Sequence, residues 1–246
     1  MEIKITKKFG LGELVNRLQK VKLKGFPEVK IYGQAKISIV KFSPDQVKKQ
    51  IFITQPSVYR ADFLDRLEKL SQIFQKEGID IFRLEGGVDY EATDLEGLTT
   101  KWTLISPVVE VTPFHFDNGL NYSRIIGPEV LNKGYQLNPQ LQELKFPEYQ
   151  RIKSDQVLIV CDGSHRLHLA LEKNLDQHLV IINSPQPGFP YYAAPQPYST
   201  VHVESVRPEG GMNDKTYILK EPDHKSLYRD FPSGEIWSGG IRPESN

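Results

Sequence analysis

The chain has 246 residues, 31 Lys/Arg against 31 Asp/Glu, 39% hydrophobic residues and a single cysteine. This length holds one large domain or two modest ones, and the ordinary charged and apolar fractions exclude a disordered or fibrous class. One cysteine excludes an internal disulfide framework and fits a reducing cytoplasm, and no apolar run approaches the roughly 20 residues that span a bilayer. The basic N-terminus lacks the apolar core of a signal peptide, so a cytoplasmic protein with no membrane association is expected.

In chain order, Leu11, Leu14, Val15 and Leu18 recur at helical spacing and predict a short helix within 11–23. Val29 to Val40 alternates apolar and polar residues around Gly33 and reads as one or two strands, and Ile51 to Thr54 as another. Ala61 to Lys76 carries a continuous stripe of Phe63, Leu64, Leu67, Leu70, Ile73 and Phe74, with Gly78 as its stop signal. Ile79 to Leu84 and Leu104 to Val111 read as strands, separated by an acidic loop in which Gly86-Gly87 forms a turn. Pro185 to Pro197 is a rigid loop rich in proline and aromatics.

Charge is unevenly spread. Residues 1–50 hold twelve Lys/Arg against four acids, a surplus of eight that the remainder of the chain must offset. A basic half is the footprint of nucleic-acid contact, although these lysines are dispersed and only one of the twelve cations, Arg17, is an arginine. The plainer reading is a solvated face.

The most informative stretch runs Val157-Leu158-Ile159-Val160-Cys161-Asp162-Gly163-Ser164-His165-Arg166-Leu167-His168. The β-branched and aliphatic run predicts a buried strand, and Leu167, Ala170 and Leu171 predict a helix directly after it. The turn between them collects a carboxylate, a glycine, a hydroxyl, an imidazole and a guanidinium at a helix start. Unpartnered N–H groups and the macrodipole make a helix start attractive to anions, and Arg166 with His165 would add charge for a phosphate. The alternative is that Asp162 only caps the helix while Arg166 lies on its solvated face.

This Asp-Gly-Ser-His-Arg turn, followed by the helix with Ala170 and a strand at Leu179 to Ile182, resembles the ParB/sulfiredoxin fold. The similarity lies with its Asp-Gly-x-His-Arg members: free serine kinases, DGQHR-domain proteins linked to modified DNA, and ParB-type nucleotide-binding domains. It covers roughly 104–183. The resemblance implies nucleotide phosphates against Gly163, Ser164, His165 and Arg166. It also implies a catalytic carboxylate upstream, after the first strand of the domain, where Asp117 is the nearest positional match and Glu110 the second. An Asx-turn at Asp117-Asn118-Gly119 is the structural alternative. Sulfiredoxin's catalytic cysteine falls within its own Gly-Gly-Cys-His-Arg turn, where Ser164 stands here, so that chemistry is not expected. Cys161 reads as a small buried residue.

Asp162, His165 and His168 lie three apart, which invites a metal reading. No third strong ligand motif completes a zinc site, whereas Mg²⁺ held by Asp162 together with nucleotide phosphates needs few protein ligands. Neither a P-loop nor a Gly-x-Gly-x-x-Gly fingerprint occurs. Near the C-terminus, Lys225 and Arg229 are four apart and would clamp an anion if helical, the commoner alternative being a solvated or salt-bridged helix.

The expected fold is therefore α+β: a ParB/sulfiredoxin-like domain with a small mixed sheet over 104–246, preceded by an N-terminal α/β region or extension over 1–103. The expected function is an ATP- or ADP-dependent, Mg²⁺-assisted phosphotransferase acting on a small hydroxyl-bearing substrate. In it Asp162, Asp117 and His165 are the catalytic candidates. The competing expectation is a non-catalytic, nucleotide-switched or phosphate-gripping module that contacts nucleic acid through its basic N-terminal region.

Overall fold

A computed structural model describes residues 2–112, 157–183, 193, 195–207, 217, 219–220 and 223–232. Asp117 and most of the 185–197 loop lie outside the described residues. The architecture is α+β, as expected, with four α-helices among the described residues.

β1 (Glu2–Gly10) leads into α1 (Leu11–Leu18), whose Leu14 and Leu18 are buried. A short antiparallel pair, β2 (Lys22–Leu23) and β3 (Phe26–Lys30), precedes β4 (Lys36–Phe42). α2 (Pro44–Gln50) starts at a capping box, in which Ser43 and Gln46 each satisfy the other's backbone N–H, with Pro44 inside the first turn. β5 (Ile51–Ile53) and β6 (Ser57–Tyr59) follow.

A five-residue π-helical turn (Arg60–Leu64) then opens α3 (Asp65–Lys76). The expected single helix over 61–76 is thus wound differently over its first turn. Beyond it, β7 (Gly86–Thr93) and β8 (Thr99–Ile105) form a hairpin that β1 extends into an antiparallel sheet of order β1-β7-β8.

The second sheet positions the site. It has six strands in the order β12-β5-β10-β9-β11-β4, using β9 (Val108–Thr112), β10 (Val157–Asp162), β11 (Gln177–Asn183) and β12 (Gln196–Pro197). β10 runs parallel to β5 and antiparallel to β9, while β11 runs parallel to β9 and antiparallel to β4. The sheet is mixed, and it takes β4 and β5 from the N-terminal region. Residue 103 falls within β8. A parallel pair of β6 with β13 (His202–Glu204) lies apart.

α4 (Ser164–Glu172) connects β10 to β11 and is buried on two sides. Leu169 and Ala170 join the apolar cluster around α3 and β7, in which Phe74 meets Tyr90 edge-on at 5.1 Å. Leu167 and Leu171 join a second cluster with Val47, Val109 and Val160. Each fully buried leucine contributes roughly 1.5–3 kcal/mol, so the helix is held firmly, with Glu172 exposed and Ser164, His165 and His168 half-buried.

Three expectations are corrected. Residues 79–84 form turns, not a strand. Asp80 accepts the Phe82 N–H on its side chain (2.9 Å) and the Arg83 N–H on its carbonyl (3.1 Å), and this Asx-type turn outcompetes the apolar run. Gly86 and Gly87 are strand residues rather than a turn. They face Gly10 and Phe9 of β1 so closely that a Cβ on Gly86 would lie 1.9 Å from the Phe9 carbonyl oxygen. The strand expected over 104–111 is two strands of different sheets, broken at Ser106-Pro107.

Candidate functional site

β10 lies between β5 and β9, and Ile159 and Val160 are buried there. Its pairing with β9 shifts register between Val160 and Asp162. A bulge at a strand end re-aims the residue that follows, and here it accompanies the half-buried placement of Asp162 at the mouth of the turn.

Gly163 is the N-cap of α4, with φ +79° and ψ 24°. Two constraints demand glycine: the left-handed backbone, and the approach of Arg166 Nη2 (2.8 Å) and Pro107 Cα (2.9 Å) to the place a Cβ would occupy. The first intrahelical bond runs from the Leu167 N–H to the Gly163 carbonyl at 2.9 Å. The amides of Ser164 and His165 precede it, no side chain caps the helix, and its first turn contains no acid. A helix start of this kind carries positive potential that its own side chains leave uncompensated.

Arg166 is buried and turned inward. Its Nη1 donates to the Ile105 carbonyl, and its Nη2 lies 3.2 Å from the Asp162 carboxylate. The expected direct grip of this guanidinium on a phosphate is therefore replaced by an internal role. Arg166 braces Asp162 and ties the turn to the end of β8. Its charge still sits behind the helix start. The solvated-face alternative for Arg166 is equally excluded by this burial.

His165 is placed differently from expectation. Its ring packs on Phe63 with centroids 4.4 Å apart and lies 6.4 Å from Tyr59. Burial, aided by nearby His168, Arg207 and Arg166, lowers its pKa to about 4, so it is neutral at pH 7 and adds no charge for an anion. Its Nε2 is buried with no hydrogen-bond partner, while Nδ1 lies 3.5 Å from Ser164 Oγ.

His168 points elsewhere: Nδ1 is 2.7 Å from the Tyr198 hydroxyl and Nε2 3.8 Å from Glu172. The triple Asp162, His165, His168 does not assemble, and among the described residues no group of three His, Cys, Asp or Glu is gathered to hold a metal. Asp162 alone offers a carboxylate in the turn. That suits Mg²⁺, which keeps waters and phosphate oxygens in its shell, and does not suit a protein-enclosed transition metal.

Glu110, the second carboxylate candidate, is occupied. Arg229 donates to it through Nε (3.0 Å) and Nη2 (3.4 Å), and the Tyr32 hydroxyl donates to the same carboxylate. All three side chains are buried, and burial raises the Tyr32 pKa well above the ordinary phenol value. Cys161 packs against this group, and burial with the Glu110 charge raises its thiol pKa, as befits an unreactive cysteine. Residues 223–227 form a 3-10 turn, Lys225 is exposed and Arg229 is spent on Glu110, so these two cations make no clamp.

Sequence reasoning missed Phe63 as a neighbour of the turn, and it missed Arg207. Arg207 stands 6.0 Å over the Tyr59 ring and donates its backbone N–H to Asp62 at 3.1 Å. No local pattern marks either residue, because the π turn and the 202–207 segment meet the site only in three dimensions.

Among the described residues, no helix is long and apolar enough to cross a membrane. No curated protein and no solved structure matches the chain. The family model of the ParB CE domain matches residues 13–119, a stretch that ends before β10 and the Asp162–Arg166 turn. Over that stretch, less than half of its length, the chain is similar to the ParB CE domain.

Proposed function

We propose that the chain binds a nucleotide at the start of α4 and acts as an ATP- or ADP-dependent phosphotransferase on a small hydroxyl-bearing substrate. The observation that carries this reading is the helix start itself: glycine-capped, without a side-chain cap or an acid in its first turn, half-buried, with the buried Arg166 paired to Asp162 beside it. The Asp-Gly-Ser-His-Arg sequence supports it through its resemblance to the Asp-Gly-x-His-Arg members of the ParB/sulfiredoxin fold. Phosphate oxygens accept from the amides of Ser164 and His165 and from the Ser164 hydroxyl. Bound Mg²⁺ would supply charge neutralisation between phosphates, with Asp162 as its protein ligand. In the transfer, the acceptor hydroxyl oxygen bonds to the terminal phosphorus and the bond from that phosphorus to the leaving nucleotide oxygen breaks. The hydroxyl proton passes to a carboxylate: Asp117, from outside the described residues, where Asp162 holds Mg²⁺, or Asp162 itself where it does not. Catalysis of this kind is mostly positioning and electrostatics. His165 shapes the pocket as a neutral ring.

Calorimetry with ATP and ADP in the presence of Mg²⁺, together with a product scan over hydroxyl acceptors, tests the proposal. Binding and phosphorylated product are expected; absence of both refutes it. A second reading, nucleic-acid contact, is favoured by one observation: Lys4, Lys8, Lys22, Lys24, Lys48 and Lys49 are all exposed. It requires binding to DNA or RNA that weakens steeply with salt, and no retention at low salt removes it.

A further inference from the structure

Phe63 departs from the apolar stripe to which its spacing assigns it. Leu64, Leu67, Leu70 and Phe74 are buried in the α3 cluster, whereas Phe63 remains partly exposed beside the Asp162–Arg166 turn. The cause is the π turn at Arg60–Leu64, where the Asp65 N–H bonds back to the Arg60 carbonyl, five residues earlier. The wider turn brings Phe63 to the side of Tyr59, with ring centroids 6.1 Å apart, and onto His165 at 4.4 Å. Single π turns inside helices are concentrated at functional sites. Phe63 thus stands at the edge of the α3 core with its ring against the candidate site.

The surroundings are those of a stacking surface. Tyr59 is buried beside Phe63, its ring tilted 48° to that of Phe63, and limits how far Phe63 can sink into the core. His165 is a neutral ring in the same surface, while its backbone amide belongs to the helix start. Arg207 is exposed at the edge and anchored through Asp62, which precedes Phe63. The half-buried Phe63 ring therefore lies against His165, whose backbone amide belongs to the helix start suited to phosphate.

We infer that Phe63 is the platform on which the nucleobase stacks, with His165 and Tyr59 behind it and Arg207 at its rim. The inference rests on the phosphate-binding reading above and extends it. It makes the ligand a nucleotide held at both ends rather than an inorganic phosphate, and it makes recognition tolerant of base identity, since every base offers a π face.

The test compares ATP with tripolyphosphate, each with Mg²⁺, by calorimetry on the full chain and on Phe63→Leu and Phe63→Tyr. Wild type should bind ATP more tightly than tripolyphosphate. Phe63→Leu, which keeps apolar bulk but removes the flat ring, should weaken ATP about five- to hundredfold, the range that base–aromatic stacking supplies. It should leave tripolyphosphate affinity unchanged, and Phe63→Tyr should retain ATP affinity. If wild type binds tripolyphosphate as well as ATP, or Phe63→Leu binds ATP undiminished, the platform is overturned while the phosphate site stands. If wild type binds neither anion, the phosphate site fails and the platform fails with it.

Discussion

Ser164→Asp separates two quantities that a simple loss of structure would move together. Ser164 is the first residue of α4, next to the left-handed Gly163; no side chain caps that end, the first turn of the helix holds no acid, and the nearby Asp162 carboxylate is paired with Arg166. A carboxylate there interacts favourably with the helix dipole, worth about 0.3–1 kcal/mol. For a chain of this size that corresponds to a melting temperature raised by about 1–3 °C. The same carboxylate stands where a phosphate should bind. Two unit charges about 5 Å apart at an effective dielectric constant near 20 repel by about 3 kcal/mol, which is roughly a hundredfold in affinity. Thermal unfolding and calorimetric titration with ATP and ADP on the same preparations read both effects. Ser164→Asn, similar in shape and uncharged, should stay within a few fold of wild type. Nucleotide binding undiminished in Ser164→Asp would show that the anion does not sit at this helix start.

Other parts of the structure yield further expectations. Gly163→Ala forces a left-handed alanine against Arg166 and Pro107; the backbone alone costs about 1–2 kcal/mol, and an unchanged urea midpoint would contradict the geometry. Arg229→Met strips the buried Glu110 of its cation and should cost about 3–5 kcal/mol, whereas Arg229→Met with Glu110→Leu should recover most of that loss, as replacing a whole buried pair often does. A double variant no more stable than the single one would rule out the pair as the cause. His165 has a folded pKa of about 4, below its unfolded value near 6.5. Its contribution is therefore complete above about pH 6.5 and is lost as pH falls towards 4, by about 3 kcal/mol in all. His165→Phe should flatten that part of the pH dependence, and parallel stability curves for variant and wild type between pH 7.5 and 4.5 would exclude a buried neutral imidazole.

What could be read in advance was local. The strand–turn–helix at 157–172 declares itself through a run of aliphatic residues, a glycine and helical spacing, all within one short stretch. Its inward and outward sides do not. Arg166 looks like a surface cation until Ile105, sixty-one residues away, supplies the carbonyl that draws it inside. Glu110 and Arg229 are separated by 119 residues, so no periodicity announces their pairing. The apolar content of Ile79, Ile81, Phe82 and Leu84 was real and all four are buried, but Asp80 turned the backbone, so burial came without a strand. Gly86-Gly87 carries the usual mark of a turn, and only the nearness of Phe9 and Gly10 explains it as strand. In each case the deciding contact came from a distant part of the chain.

The interleaving of early and late strands in the six-stranded sheet shapes how the protein is born. β4 and β5 leave the ribosome on the order of ten seconds before β10 and β11, at ordinary translation speeds. During that interval Ile51, Phe52 and Ile53, all destined for the interior, have no sheet to enter. Growth at lowered temperature or with abundant holding chaperones should accordingly raise the soluble yield, because the nascent chain must be kept from its neighbours until its later half arrives.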